Sequence, residues 1–293
     1  MKWIAIVNPH ALKKRHIDAT ALTEKLSTIS TKTVFTEYHG HAGEITQKEK
    51  WYDGIIVVSG DGTLHDVISH IDYSQKSIGL IPAGTGNSLG RDLGLRLLSN
   101  HSRVYLGPKY LIDLMTVDFT TANNKNHHCI SASTIAIGYP AGIGNLANKY
   151  FKFLGSQLCY PTASIINAFR CQPQQIRICY NSQKPQQKPL TGLMLTNTNH
   201  TANAVCLLGT RFDDGQAEAV ELNAHPFSQI LHNLSIISQR YFYDPSFHST
   251  FTRLRVELEQ PNLLTIDGDI YEQVISLEVE LLPSALNCYA CTN

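Results

Sequence analysis

The sequence has little charge and no excess of either sign. Its 293 residues include 24 Lys and Arg and 24 Asp and Glu, so the formal net charge is zero, and only 16% of the residues are charged. Because a nucleic-acid-binding chain usually carries a basic field, we expect no nucleic-acid partner. Near-zero charge also gives little repulsion between copies, so the composition is compatible with a homodimer.

Long hydrophobic runs and a cysteine framework are missing as well. No stretch of 18 apolar residues occurs, and the apolar run near the N-terminus is too short for a secretory signal. Of the seven Cys, Cys288 and Cys291 form a C-x-x-C pair, but no second pair accompanies it, which favours free thiols over a zinc or redox site. These observations predict a cytoplasmic protein without a membrane-spanning helix.

The first half alternates short apolar runs with segments of helical spacing. Strands are predicted at residues 4–7, 33–36, 52–59 and 77–81. Helices are predicted at residues 16–29, 42–50, 64–71 and 88–95, with a turn at Asn8-Pro9. This alternation predicts an α/β domain with a mostly parallel sheet, whose binding crevice lies at the carboxyl ends of the strands.

After about residue 110 strands follow one another without regular helical crossovers, which predicts antiparallel, all-β packing. The predicted strands lie at residues 112–119, 129–136, 175–180, 190–197, 216–222, 253–259, 263–266 and 273–282, with a surface turn at 181–189. Residues 145–169 are the exception, since their apolar spacing fits one or two helices. That segment either faces the core or covers an apolar pocket.

Two glycine-rich loops follow buried strands of the first half. The first, SGDGTLHD, spans Ser59–Asp66, and its glycines would let backbone N–H groups approach phosphate oxygens. Asp61 fits such a loop if a Mg²⁺ ion or a proton lies between it and the phosphate, and Thr63 offers a hydroxyl. A plain Asp-Gly turn is the alternative.

The second loop, IPAGTGNSLGRDLG, spans Ile81–Gly94 and again opens a helix, for which Asn87 or Ser88 could serve as N-cap. Loops at the ends of adjacent parallel strands would line one crevice. Neither loop matches the P-loop or the dinucleotide-binding pattern, so nucleotide binding here needs another template.

Together these motifs resemble the diacylglycerol kinase catalytic-domain family, which includes bacterial soluble lipid kinases and sphingosine kinases. The likeness covers most of the chain and is loose over 120–205. It rests on Asn8-Pro9, Thr36–Thr46, SGDGTLHDVI, IPAGTGNSLGR, FDDGQAEAVEL (Phe212–Leu222) and LTIDGDIYE (Leu263–Glu272).

The resemblance implies an α/β nucleotide-binding domain at residues 1–115, rejoined by 284–293, and a β-sandwich at 116–283. It implies ATP and Mg²⁺ as cofactors and transfer of the γ-phosphoryl group to a lipid hydroxyl, on diacylglycerol or a sphingoid base. The substrate would be met at a membrane surface, peripherally and transiently. Residues 150–169, flanked by Lys149, Lys152 and Arg170, could supply that contact, with a buried core helix as the alternative.

By position, the resemblance also assigns site residues. The ATP contacts would be Asn8, Pro9, His10, Thr36, Ser59, Gly60, Asp61, Gly62, Thr63, Leu64, His65, Gly84, Thr85 and Asn87. The catalytic carboxylates would be Asp61, Asp267 and Asp269, and either Asp267 or Asp269 would be the base. The segment that contains these last two residues could also be a hairpin turn between two strands, and the two interpretations are compatible. A structural Mg²⁺ would involve Asp214, with backbone oxygens near Arg211 and Gln216, or this segment is a plain turn.

Three positions depart from the family pattern. His10 stands where small residues are usual, Ser88 replaces an Asp that is common in the bacterial branch, and Asp269 replaces a Glu. These departures keep a catalytically impaired nucleotide-binding regulatory protein open as an alternative. A kinase of a soluble metabolite such as NAD is a second alternative, because similar glycine loops occur there.

Overall fold

The computed structural model describes residues 1–151, 156–201, 205–206, 209–223 and 248–292. The first four strands pair in parallel in the order β4-β3-β1-β2. They are β1 (Trp3–Val7), β2 (Lys32–Phe35), β3 (Gly54–Ser59) and β4 (Ser77–Pro82). In β3, Ile55 and Val57 join one core cluster and Ile56 and Val58 another, so both faces of this strand are buried.

Five helices accompany these strands. They are α1 (Pro9–Lys14), α2 (Ala19–Leu26), α3 (His41–Lys48), α4 (Asp61–Ile68) and α5 (Ser88–Asp92). The predicted turn at Asn8-Pro9 is wrong, because α1 begins there. Asn8 is its N-cap and accepts a hydrogen bond from the backbone N–H of His10 at 3.0 Å, and proline suits the first helical position.

The remaining described strands pair with one another in antiparallel fashion. They are β5 (Lys109–Thr121), β6 (Asn126–Ser131), β7 (Thr134–Gly138), β8 (Gln174–Tyr180), β9 (Gln186–Thr196), β10 (His200–Thr201), β11 (Val205–Cys206), β12 (Ala217–Asn223), β13 (His248–Phe251), β14 (Arg253–Ile266) and β15 (Asp269–Ala290). The single strand predicted at 129–136 is wrong, since β6 ends and β7 begins within it. The two strands predicted at 253–259 and 263–266 are one, β14, and β9 begins inside the predicted turn at 181–189.

Two α-helices lie within the described residues of this second part. Helix α6 (Tyr139–Leu146) continues into a π-helical turn at Ala147–Phe151, and α7 (Ser156–Arg170) packs against α6. The hydroxyl of the fully buried Tyr139 is 2.8 Å from Ser164 Oγ and joins the two helices. Within the described part of the chain no helix is long and apolar enough to cross a membrane.

The long strand β15 connects the two parts of the sheet. It pairs antiparallel with β14 on one side and with β5 on the other, and its residues 287–290 pair in parallel with residues 77–80 of β4. Thirteen strands therefore form one sheet. Cys288 and Cys291, at the end of β15, are buried free thiols. The division into domains at 1–115, 116–283 and 284–293 stays a prediction.

Two leucines on neighbouring rungs of β5 and β15 give a test of this arrangement. Leu286 is fully buried in the core, whereas Leu111 is 46% exposed. We expect Leu286→Ala to lower the free energy of unfolding by about 2–5 kcal/mol, because it removes buried methyl groups and leaves a cavity. The matched variant Leu111→Ala should change it by less than about 1 kcal/mol in the same denaturant titration. An equal loss of unfolding free energy in the two variants would contradict the burial of the C-terminal segment of β15.

Candidate active site

A cavity of about 820 Å³ opens at the carboxyl ends of β1, β3 and β4. The turn between β14 and β15 and helices α6 and α7 contribute its other walls. Eleven of the residues predicted for the site line it: Asn8, His10, Thr36, Ser59, Gly60, Asp61, Gly62, Thr63, Gly84, Thr85 and Asp267. The structure thus brings most of the predicted residues around one space.

Five of the residues predicted as ATP contacts or catalytic groups do not line this cavity. Pro9 begins α1, Leu64 packs in the hydrophobic core, and Asn87 supports the second glycine loop. His65 and Asp269 lie beside Asp267 and contact each other. Their roles as ligands or catalytic groups stay predictions.

The two glycine loops pack against each other through their backbones. A Cβ atom on Gly60 would lie 2.9 Å from Gly84 Cα, and a Cβ on Gly84 would clash with Gly60 in return. Distances below 3.0 Å are essentially never seen for real Cβ atoms, so the contact requires glycine on both sides. This contact brings the N-terminal end of α4 and the second loop to the same side of the cavity.

Polar side chains hold the second loop in shape. Asn87 adopts a left-handed backbone conformation, and its amide forms two reciprocal hydrogen bonds of 2.9 Å with the backbone of Gly84. Arg15 of α1 donates to the carbonyls of Ala83 and Gly84, and Lys14 donates to Thr85 Oγ1 at 2.8 Å. Since Lys14 also lines the cavity, α1 supplies positive charge that the motif comparison did not include.

A chain of hydroxyl and amide groups crosses the first loop. Ser59 Oγ donates to Thr63 Oγ1 at 2.7 Å, and Asn8 Nδ2 donates to the same oxygen at 3.4 Å. The Thr63 hydroxyl accepts both bonds, so its proton is free to point toward an acceptor in the cavity. An anionic oxygen would be such an acceptor.

Asp61 is held at the N-terminal end of α4. Its Oδ1 accepts a 2.7 Å hydrogen bond from the backbone N–H of Ser88, and its Oδ2 faces Gly86, where a Cβ atom would clash with it. Burial, with the negative charge of Asp267 added to it, raises the pKa of Asp61 to about 6, although the bond from Ser88 acts in the opposite direction. A cation or a proton at this carboxylate would relieve the cost of its charge.

Asp267 occupies a two-residue hairpin turn between β14 and β15. Asp267 and Gly268 have φ angles of 48° and 103°, as a type I′ turn requires, so the hairpin alternative is confirmed. Four donors reach the Asp267 carboxylate: Ser131 Oγ at 2.8 Å and the backbone N–H groups of Ala132, Ser133 and Thr134 at 2.8–3.1 Å. No motif predicts these donors, since they lie more than 130 residues away along the chain.

His65 lies between the two carboxylates of the hairpin. Its Nδ1 is 3.3 Å from Asp267 Oδ2 and its Nε2 is 3.6 Å from Asp269 Oδ2. Burial alone would raise the pKa of Asp267, but the hydrogen bond and charge of His65, together with the backbone N–H groups, lower it. Asp267 is therefore an ionised, firmly held carboxylate at neutral pH.

Part of the cavity lining is apolar. It is formed by Ala136, Pro140, Ile143, Gly144 and Met194, with Tyr160 of α7 also lining the cavity. Burial raises the pKa of the Tyr160 hydroxyl, and the nearby charges of Cys159 and Asp61 add to the effect. The cavity lining thus has a polar part, rich in phosphate-compatible donors, and an apolar part.

The predicted structural metal site lies outside this cavity. Asp214 Oδ1 accepts a bond from the backbone N–H of Gln216 at 3.1 Å, and Arg211 pairs with Asp213 instead. Within the described residues no group of three or more His, Cys, Asp or Glu side chains could hold a metal ion. Glu218, which the motif comparison missed, is only 3% exposed, and burial together with the charge of Asp214 raises its pKa to about 7.

The comparison with known families agrees with this geometry. Residues 2–116 match the model of the diacylglycerol kinase catalytic domain. The resemblance to this family that the motifs predict is therefore confirmed over these residues.

Individual relatives extend the comparison. Human sphingosine kinase 2 is 30% identical over 149 residues, which cover 44% of this chain and 22% of the human protein, so the chain spans about a fifth of that relative. A diacylglycerol kinase of Staphylococcus haemolyticus is 26% identical over 80% of this chain and 71% of its own length. The crystal structure of a diacylglycerol kinase from Bacillus anthracis covers 99% of this chain and 96% of its own, with a TM-score of 0.71 at 17% identity, which shows a shared fold.

The raised pKa of Asp61 predicts a pH-dependent cost to stability. In the unfolded chain the pKa of an Asp is near 4, whereas the pKa of Asp61 in the folded protein is about 6. The loss of stability caused by ionising the buried carboxylate is therefore absent well below pH 4 and complete above about pH 6. We expect Asp61→Asn to raise the free energy of unfolding at pH 7 by about 1–2 kcal/mol relative to the wild type, after allowance for the partial exposure of the side chain. At pH 4 the two proteins should have nearly the same free energy of unfolding. Denaturant titrations across this range measure the difference.

The matched control is Asp118→Asn, because the Asp118 side chain is 65% exposed. The free energy of unfolding of Asp118→Asn should stay close to that of the wild type at every pH. A difference for Asp61→Asn that does not grow between pH 4 and pH 7 would contradict the assigned environment of this carboxylate.

Proposed function

We propose that the protein is an ATP-dependent lipid kinase, which transfers the γ-phosphoryl group of ATP to the hydroxyl of diacylglycerol or of a sphingoid base. The observation that carries this proposal is the mixed lining of the cavity, which combines the packed glycine loops with apolar side chains. A nucleotide needs the glycine loops, and an acyl or alkyl chain suits the apolar side chains. The family match and the names of the relatives support the same class of reaction.

The residues in the polar part of the lining are suited to hold the phosphates. The N-terminal end of α4 presents backbone N–H groups of the first loop, and Thr63 adds a hydroxyl donor. Lys14, 2.8 Å from Thr85 Oγ1, adds a positive charge. His10 also lines the cavity, where an imidazole can donate to a phosphate oxygen rather than obstruct it.

Asp61 fits the Mg²⁺ ion that phosphoryl transfer requires. It is a hard oxygen ligand in the polar part of the lining, and burial with a like charge nearby makes its ionised form costly without a cation. When bound, the ion would neutralise charge on the transferring phosphoryl group. Ser88 does not remove this possibility, because the backbone N–H at that position is what holds Asp61.

Of the two hairpin carboxylates, Asp267 is the better placed to meet the acceptor hydroxyl. It lines the cavity, whereas Asp269 does not and instead lies 3.6 Å from His39 and from His65. Its lowered pKa makes Asp267 a weak base, which suits a loose transition state in which the hydroxyl loses its proton late. Asp267 would chiefly orient the hydroxyl and then accept the proton.

A second ion is proposed outside the cavity, near Asp214. No hydrogen-bond donor among the described residues reaches Glu218 Oε2, which is buried, and the charge of Asp214 raises the pKa of Glu218. A Mg²⁺ ion beside these two carboxylates would satisfy both charges. Arg211 and Gln216 would contribute backbone oxygens only.

Two other functions remain alternatives. A kinase of a soluble metabolite such as NAD would share the glycine loops, but it would leave the apolar side chains of Ile143 and Met194 without a partner. A nucleotide-binding protein without catalysis would bind ATP and transfer nothing. Both alternatives are separated from the lipid kinase by the assay below.

The test is transfer of labelled phosphate from ATP with Mg²⁺ to diacylglycerol, sphingosine, ceramide and NAD, offered side by side with the lipids in mixed micelles. We expect labelled lipid and no labelled NAD. Asp61→Asn and Asp267→Asn should each reduce the rate by about 10²- to 10⁴-fold, because they remove charge or the proton acceptor at the reacting groups. Asp118→Asn is the surface control. Labelled NAD alone, or ATP binding without any transfer, would refute the lipid kinase.

We further propose that α7 and the preceding π-helical turn meet the bilayer that holds the lipid. Leu158, Ile165 and Phe169 are 59%, 42% and 72% exposed on α7, and Tyr150 is 54% exposed nearby. Lys149 and Arg170 are exposed at the two ends of this segment and would meet anionic head groups. Lys152 and Phe153, which the sequence analysis placed in this segment, lie outside the described residues.

A vesicle experiment tests this surface. The double variant Leu158→Asp, Phe169→Asp should bind vesicles containing phosphatidylglycerol at least about tenfold more weakly in co-sedimentation, because two apolar side chains can no longer enter the interface. Trp51→Asp is the matched control, since Trp51 is 87% exposed on the loop before β3. Unchanged binding of the double variant, with an unchanged circular dichroism spectrum, would exclude α7 as the membrane contact.

A further inference from the structure

His65 connects the two motifs of the cleft through space. It lies on α4, four residues after Asp61, and its side chain is 5% exposed. Both ring nitrogens face a carboxylate, with Asp267 Oδ2 at 3.3 Å from Nδ1 and Asp269 Oδ2 at 3.6 Å from Nε2. No other described residue bridges α4 and the hairpin carboxylates with both of its ring nitrogens in this way.

This geometry favours one protonation state of the ring. A neutral imidazole has one N–H group and one lone pair, so one of its two nitrogens would direct a lone pair at a carboxylate. The imidazolium has an N–H group on each nitrogen and faces two acceptors. The arrangement therefore stabilises the imidazolium, whichever tautomer the neutral ring would prefer.

We propose that His65 is a positioning residue for the phosphoryl transfer, whose imidazolium holds Asp267 and Asp269 in place and offsets their charge beside the reacting groups. This inference rests on the proposed function. Its structural part, a charged His65 between two carboxylates, is independent of it.

The charge matters because carboxylates are crowded at this point. The charge of Asp267 raises the pKa of Asp61, and ATP would bring further negative charge. Without the imidazolium, Asp267 would lose one of its hydrogen bonds, and the ion-pair partner left to Asp269 within the described residues would be His39, which is 82% exposed, at 3.6 Å. Asp267, which is proposed to orient the acceptor hydroxyl, would then be slightly displaced. Because Asp267 acts on the hydroxyl, this displacement would lower the rate of transfer rather than the affinity for ATP.

The groups around His65 set the sign of the pH dependence. Asp267 and Asp269 face it from the hairpin and Asp66 from its own helix, while His39 faces Asp269 from the loop before α3. Burial lowers the pKa of His65, but the hydrogen bond to Asp267 and the three negative charges outweigh burial, so the pKa is raised. The stabilising charge is thus fully present below the usual histidine pKa and is lost as the pH rises through the raised value.

The first test needs no activity. Histidine side-chain resonances of the full chain are titrated by NMR, and the His65 resonance is assigned by its absence from His65→Gln. We expect it to titrate above the ordinary value of about 6.5. A His65 resonance that titrates at or below that value overturns the proposal, even if the protein proves not to be a lipid kinase.

The second test separates positioning from a purely structural role. In His65→Gln, which keeps a donor but removes the charge, we expect kcat to fall roughly 10- to 100-fold, with little change in the KM for ATP. The decline of wild-type kcat as the pH rises through the His65 titration should be absent from the variant. His70→Gln, which alters the exposed histidine just after α4, is the matched control.

The outcomes are distinguishable. If the wild type transfers phosphate to lipid and His65→Gln keeps the wild-type kcat and pH profile, the positioning role is wrong while the proposed function stands. If the wild type transfers no phosphate to lipid, the proposed function fails, and the NMR titration alone decides whether His65 is the charged link.

Discussion

Backbone pairing along β15 is the constraint on which the rest of the structure depends. Its first residues close the hairpin that carries Asp267 and Asp269, and its last residues pair with β4 in the parallel part of the sheet. The second glycine loop begins where β4 ends. One continuous strand therefore fixes the distance between the carboxylates and the loops, and a slip in its register would move one motif relative to the other.

The cleft itself is organised by the cost of bringing negative charges together. Burial makes ionised Asp61 unfavourable, whereas four donors and His65 keep Asp267 ionised nearby. Two carboxylates with such different environments are suited to different tasks, one to a cation and the other to a hydroxyl. The backbone N–H groups just before and at the start of β7 and the positive charge of α1 are as much a part of this balance as the motif residues.

Local chemistry explains which features the sequence predicts. The buried strands, the glycine loops and the Asp-Gly hairpin all have short-range signals, and the structure contains them. Asn8-Pro9 fits either a turn or a capped helix start, so the sequence alone does not distinguish α1 from a turn. Residues 129–136 resemble one strand because no Gly or Pro marks the break between β6 and β7, which falls at Ala132-Ser133. The donors to Asp267 and the contacts of Arg15 could not be predicted, since they join segments far apart in the chain.

The position of β15 also has a consequence for how the chain is made. It follows the other described strands in the sequence, yet it lies in the middle of the sheet, between β4 and β14. Until residue 290 has left the ribosome, one edge of β4 has no partner along residues 77–80, and β5 lacks its main neighbour. The nascent chain therefore carries open strand edges until β15 has been translated, and the sheet can close only then.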